Sequence, residues 1–139
     1  IMNLFTAIYR FNKFYVTRLH EICSAKGITP VQWLVLQHIY KNEGCTSIDI
    51  VKEWSVEKPT VSSLVRKLYE QGLLDYREGE DKRHKRLYLT EEGYNLCGKV
   101  AEKVTELQSF VTEPLPEETM KEWTEMLHVL EGRLKQYES

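Results

Sequence analysis

The sequence predicts a mainly α-helical chain carrying one small β-hairpin, and three observations carry that prediction. Residues 46 to 93 read as a helix, a turn, a second helix and a charged hairpin. Apolar residues recur at spacings of three and four over long stretches on either side of that segment, the signature of amphipathic helices. Finally, 42% apolar and 29% charged residues in a chain of 139 match an ordinary globular protein with a proper core.

Leu4, Ile8, Phe11, Tyr15, Leu19 and Ile22 lie on one stripe and predict a long first helix over residues 3 to 25, ended by Gly27. Thr29-Pro30-Val31-Gln32 is a capping box with proline at the first helical position, so a second helix runs to about Tyr40. Its apolar residues, Val31, Trp33, Leu34, Val35, Leu36, Ile39 and Tyr40, cover nearly every face, and the helix is expected to be the buried centre. Asn42-Glu43-Gly44 is a turn. Thr46 caps a short helix from Ser47 to Trp54, with Ile48, Ile50, Val51 and Trp54 expected to face inward.

Pro59 fixes the start of the next helix and Gly72 permits a left-handed stop, while Val61, Leu64, Val65 and Leu68 form its inner stripe. The outward face is then Thr60, Ser62, Ser63, Arg66 and Lys67, with Lys58 at the entrance. Short hydroxyl side chains allow close approach to a DNA groove, and cations one turn along suit phosphate or guanine. Leu73, Leu74 and Tyr76 form one strand and Arg86 to Leu89 its partner, joined through Glu78-Gly79-Glu80-Asp81. Taken together this is a winged helix-turn-helix. Thr90 caps a further helix carrying Tyr94, Cys97, Val100, Ala101, Val104, Leu107 and Val111 on one stripe. Pro114 and Pro116 break it, and a last helix from Glu117 places Trp123, Met126, Leu127, Leu130, Leu134 and Tyr137 on another. A small winged helix cannot bury these stripes and that of the first helix alone, so a second copy of the chain is the expected cover.

The formal net charge of −2 gives no basic excess, but the distribution does. From Lys52 to Arg86 there are nine basic against seven acidic residues, whereas from Glu113 onward seven acidic face three basic. Four cations gather in Lys82-Arg83-His84-Lys85-Arg86 at an expected loop, where they are candidates for the narrow minor groove. Asp81 is placed to orient Arg83, or to form an Asx turn. The expected DNA-contact set is thus Lys58, Thr60, Ser62, Ser63, Arg66, Lys67, Lys82, Arg83 and Lys85, with Asp81 in support.

These motifs resemble the MarR family of bacterial transcription regulators. The resemblance rests on T-x-x-x-I-V-x-x-W-x-V from Thr46, P-T-V-S-S-L-V-R-K-L-x-x-x-G-L-L from Pro59, and Asp81-Lys82-Arg83 followed six residues later by Leu89-Thr90-Glu91-Glu92-Gly93. It covers essentially the whole chain as one domain. Residues 29–89 correspond to the DNA-binding core, and 1–26 and 90–139 to dimerisation helices. It implies a homodimer on pseudo-palindromic double-stranded DNA, acting as a repressor, with Arg83 in the minor groove and Asp81 as its partner. Tyr76 stands where the family commonly has arginine, with Arg77 beside it, and the loop before Asp81 is one residue shorter than usual. Phe5 occupies the position of the reactive cysteine of the family's peroxide-sensing branch, so that mechanism is not implied.

Small aromatic acids or hydrophobic drugs often act as effectors in this family, and Tyr15, His20, Trp33 and Tyr40 are the candidate lining residues; aromatic core filling competes for each. Cys23, Cys45 and Cys97 are odd in number and far apart, so reduced thiols are expected rather than a disulfide framework, with a redox signal as an alternative to a small molecule. His20 and Cys23 share a helix face, but no third group completes a nucleophile pair, and no catalytic residue, cofactor or metal site is expected. A winged helix used only for protein contacts is the other alternative. No apolar run reaches the roughly 20 residues of a spanning helix and no signal sequence is recognised, so the expected location is the cytoplasm, away from membranes.

Overall fold

A computed structural model describes residues 3–78 and 85–138. Its elements run α1 (Leu4–Ser24), α2 (Pro30–Lys41), α3 (Ser47–Trp54), α4 (Lys58–Glu70), β1 (Leu74–Glu78), β2 (Lys85–Leu89), α5 (Glu91–Thr112) and α6 (Glu117–Gln136). The expected capping box at Thr29 forms, and the expected Thr46 cap is a second, reciprocal one with Asp49. The Thr29 and Thr46 hydroxyls accept from the backbone N–H groups of Gln32 and Asp49, whose side chains accept in return from the Thr29 and Thr46 N–H groups. Asn3 caps α1 by accepting from the Thr6 N–H.

The chain divides into two compact units, Ile1–Val104 and Thr105–Ser139. In the first, α2 is central: it packs against α1, α4 and β2. Trp33, Val35, Leu36 and Ile39 join Leu19, Cys23, Ile50, Val61, Val65, Leu68, Leu74, Leu87, Cys97, Val100 and Val104 in one core. Strands β1 and β2 pair antiparallel in the register Leu74↔Leu89, Tyr76↔Leu87 and Glu78↔Lys85. The turn before α3 joins them, because the Gly44 N–H donates to the Leu87 carbonyl and the Leu87 N–H to the Cys45 carbonyl. In the second unit the end of α5 is followed by a turn in which the Leu115 N–H donates to the Thr112 carbonyl, and then by α6, none of whose residues is buried.

Several expectations are corrected. Val31 and Tyr40 are not core: they are 48% and 53% exposed, because the Trp33–Leu36–Ile39 side of α2 is the one that faces the core. Trp54 is also exposed, since it ends α3 where the chain turns away through Ser55 (φ 52°). The second strand begins one residue earlier than expected, so Lys85 belongs to β2 rather than to a loop, and Leu73 precedes β1 as a corner residue. The first half of the α5 stripe needs no second copy, because Cys97, Val100 and Val104 are core within the first unit. Apolar residues left open include Leu4, Phe5, Ile8, Phe11 and Phe14 of α1, and Phe110, Trp123, Met126, Leu127 and Leu134 further along.

Candidate nucleic-acid interface

The helix pair is built from the α3–α4 connection. Ser55 in the left-handed region closes α3, Glu57 is extended, and Pro59 in the first turn of α4 has the fixed φ that a helix start requires. The Thr60 and Val61 N–H groups both donate to the Glu57 carbonyl. Burial of Val61, Val65 and Leu68, each at most 5% exposed, then fixes the rotation of α4 about its axis. That rotation leaves Lys58, Thr60, Ser62, Ser63, Arg66 and Lys67 all exposed on the outward side. The resulting surface offers three hydroxyls that can donate or accept, and three cations within the first three turns.

The hairpin stands beside this helix. Its inner face, Leu74, Leu87 and Leu89, is buried, while Arg77 and Arg86 are exposed on the other face. Arg86 is anchored by donating from Nη1 to the Gly44 carbonyl at 2.9 Å, and the Arg77 guanidinium lies 4.5 Å from the Tyr88 ring centroid. On the inner side Lys85 Nζ is 4.6 Å from the centroid of Tyr76, whose ring stacks on Tyr69 at the end of α4. These ring contacts join residues on different elements, and periodicity gives no sign of them. Asp81, Lys82 and Arg83 lie outside the described residues.

The four candidate effector residues are placed unequally. Trp33 is buried in the core and its indole Nε1 has no hydrogen-bond partner, and Tyr15 is partly buried against the same core. His20 is exposed, and Tyr40 meets Tyr94 edge-on at 5.4 Å. A shallow concavity of about 620 Å³ has a different lining, with Lys26, Gly72, Thr90, Glu91, Glu92, Asn95, Leu96 and Lys99 around it.

All three cysteines are free and buried. Burial pushes the thiols of Cys23 and Cys97 up, and burial together with the Asp49 charge raises Cys45 to about 11, so none is poised as a thiolate. Cys23 is fully buried while His20 is exposed, which removes the Cys-His pair as a nucleophile. Among the described residues no group of His, Cys, Asp or Glu could hold a metal ion, and no helix is long and apolar enough to cross a membrane.

Residues 26–84 match the family model described as MarR family. An uncharacterized HTH-type transcriptional regulator of Staphylococcus aureus is 36% identical over 110 residues, covering 78% of this chain and 73% of the relative. Among solved structures, Staphylococcus aureus MarR in complex with salicylate and kanamycin superimposes with a TM-score of 0.84 at 28% identity, covering 96% of this chain and 91% of that one. The Staphylococcus aureus MepR–DNA complex gives a TM-score of 0.85 at 22% identity, covering 95% and 96%, a likeness of fold. With the helix pair, the hairpin and a relative matched over most of both chains, the protein belongs to the MarR family of helix-turn-helix transcriptional regulators and is not an enzyme.

Proposed function

We propose that two copies of this chain bind a pseudo-palindromic operator and repress transcription, and that a small aromatic or hydrophobic effector relieves the repression. The outward face of α4 carries the proposal, because six hydroxyl or cationic side chains are held clear of the core by three buried ones. Thr60, Ser62, Ser63 and Arg66 enter the major groove, with Lys58 and Lys67 on phosphates. Lys82, Arg83 and Lys85 of the wing take the adjacent minor groove and backbone, and Asp81 orients Arg83. Residues 29–89 are the reading core within a single domain, and 1–26 and 90–139 supply the dimer contacts. The exposed apolar residues of α1 and α6 support pairing, since a solitary chain would leave Phe5, Phe11 and Trp123 each more than half in water. Symmetry would set the two α4 helices about one DNA turn, ~34 Å, apart.

A small molecule is favoured over a redox signal by the burial and raised thiols of the cysteines. The structure of Staphylococcus aureus MarR holding salicylate makes an aromatic acid the first effector to try. The test is titration of DNA selected from a random-sequence pool. Arg66→Ala should cost about 1–3 kcal/mol of discrimination between selected and random duplexes. Lys67→Ala should weaken both alike and reduce the log–log salt slope by about 0.9. If neither variant changes binding, α4 does not read DNA in this way.

A further inference from the structure

We propose that Tyr69 and Tyr76 are positioning residues that lock the wing to α4, and that the Tyr76 ring directs the Lys85 ammonium to the DNA backbone. The inference rests on the DNA-reading function proposed above. Tyr69 lies in the last turn of α4 and Tyr76 in the middle of β1, with only Glu70, the Gln71–Gly72–Leu73 corner and two strand residues between them. Their rings stack with centroids 4.6 Å apart and planes 12° from parallel. The Tyr69 ring is 45% exposed, so this contact is made at the surface, beyond the buried Leu74–Leu89 pair that ties the base of the hairpin to the core.

In the β1–β2 register Tyr76 pairs with Leu87 and Glu78 with Lys85, which puts Tyr76 and Lys85 on one face as diagonal neighbours. Lys85 Nζ accordingly sits 4.6 Å from the Tyr76 centroid, a cation–π distance. One ring therefore contacts both the end of the reading helix and a wing cation. A lysine held in this way has already given up much of the side-chain freedom it would otherwise lose on meeting a phosphate. Without the ring, Lys85 is left with the Glu78 carboxylate opposite it as a competing partner, and the wing keeps its core contacts, the backbone bonds of Leu87 with Gly44 and Cys45, and the Arg86–Gly44 bond, none of these bonds reaching α4.

The test compares Tyr69→Ala, Tyr76→Ala and Tyr76→Phe on a duplex selected by the unaltered protein from a random-sequence pool, with affinity measured across a salt series well below each variant's Tm. Tyr69→Ala and Tyr76→Ala should each bind roughly three- to tenfold more weakly, and the double variant no more weakly than the worse single, because both remove one stack. Tyr76→Ala should also flatten the log–log salt slope by about 0.9, and Lys85→Ala added to it should flatten it no further. Tyr76→Phe, which keeps the ring, should restore affinity and slope. A merely structural role would lower Tm and leave the slope alone, so a wild-type slope in Tyr76→Ala, or no restoration by Tyr76→Phe, overturns the inference. Absence of salt-sensitive DNA binding by the unaltered protein would instead overturn the DNA-reading proposal itself.

Discussion

Replacing Gly93 with alanine tests how the reading unit is joined to its long fifth helix. Gly93 lies in the first turn of α5 against the corner between α4 and β1, and a Cβ there would stand 2.0 Å from the Leu73 carbonyl oxygen and 3.0 Å from its carbon. Both sides of that contact are backbone, so relief requires the helix start to move off the corner. Two hydrogen bonds hold it there, Thr90 N–H to the Leu73 carbonyl at 3.2 Å and Thr90 Oγ1 to the Gly72 carbonyl at 2.6 Å, while the Gly93 N–H donates to the same Thr90 Oγ1 at 3.1 Å as the helix cap. Overpacking costs about 1–3 kcal/mol, and losing one or two of these bonds adds about 1 kcal/mol each. The better helix propensity of alanine returns ~1 kcal/mol, leaving a net loss of about 1–4 kcal/mol. Gly98 in the same helix is the control, because a Cβ there meets nothing within 4 Å and its alanine variant should gain about 0.5–1 kcal/mol. Urea unfolding followed by circular dichroism, at one protein concentration for all variants, compares them. If Gly93→Ala proves as stable as Gly98→Ala, the close approach of α5 to Leu73 is wrong.

Three other outcomes are expected. The Thr46 N–H, the Thr46 hydroxyl and the charges of Lys52 and His38 hold the Asp49 carboxyl below its usual value. A carboxyl lowered in the folded state contributes stability above the ordinary carboxylate range and loses it as pH falls through the lowered value, so Asp49→Asn should flatten the loss of stability below about pH 4; an unchanged acid limb would refute the cap. Thiol alkylation at pH 8 should be slow for all three buried cysteines and become complete on unfolding, and rapid labelling of Cys45 in the native protein would contradict its burial and its raised value of about 11. Phe11→Lys places a charge on the open stripe of α1; with ~1.5–3 kcal/mol of burial lost per copy, the mass in solution should shift towards a single chain, and an unchanged mass would place the contact elsewhere.

Much of the fold was legible because its punctuation is local. Thr29 with Gln32, the Thr46 cap, Pro59 and Gly72 each act within a few residues, and the helix bounds followed from them to within a residue or two. The outward face of α4 was legible for the same reason, since burial of Val61, Val65 and Leu68 dictates which side chains remain outside. Exposure of Val31, Tyr40 and Trp54 was not legible, because hydrophobicity marks what can be buried and only the neighbouring elements decide what is. Nor were the Tyr69–Tyr76 stack, the Arg86–Gly44 bond or the Glu43–Tyr94 hydrogen bond, which join residues from 7 to 51 positions apart. Strand register fixed where Lys85 lies, opposite Glu78, whereas the run of cations alone placed it in a loop.

The most direct test of the central claim is to titrate the purified protein against a duplex it selects from a random pool, and against unrelated DNA, at two salt concentrations while recording the mass of the complex. A regulator of the kind described here should bind the selected duplex tightly as two chains per site, prefer it over unrelated DNA, and lose affinity steeply with salt at about 0.9 log units per phosphate neutralised. Binding that ignores sequence and salt, or a complex with one chain per site, would contradict the account.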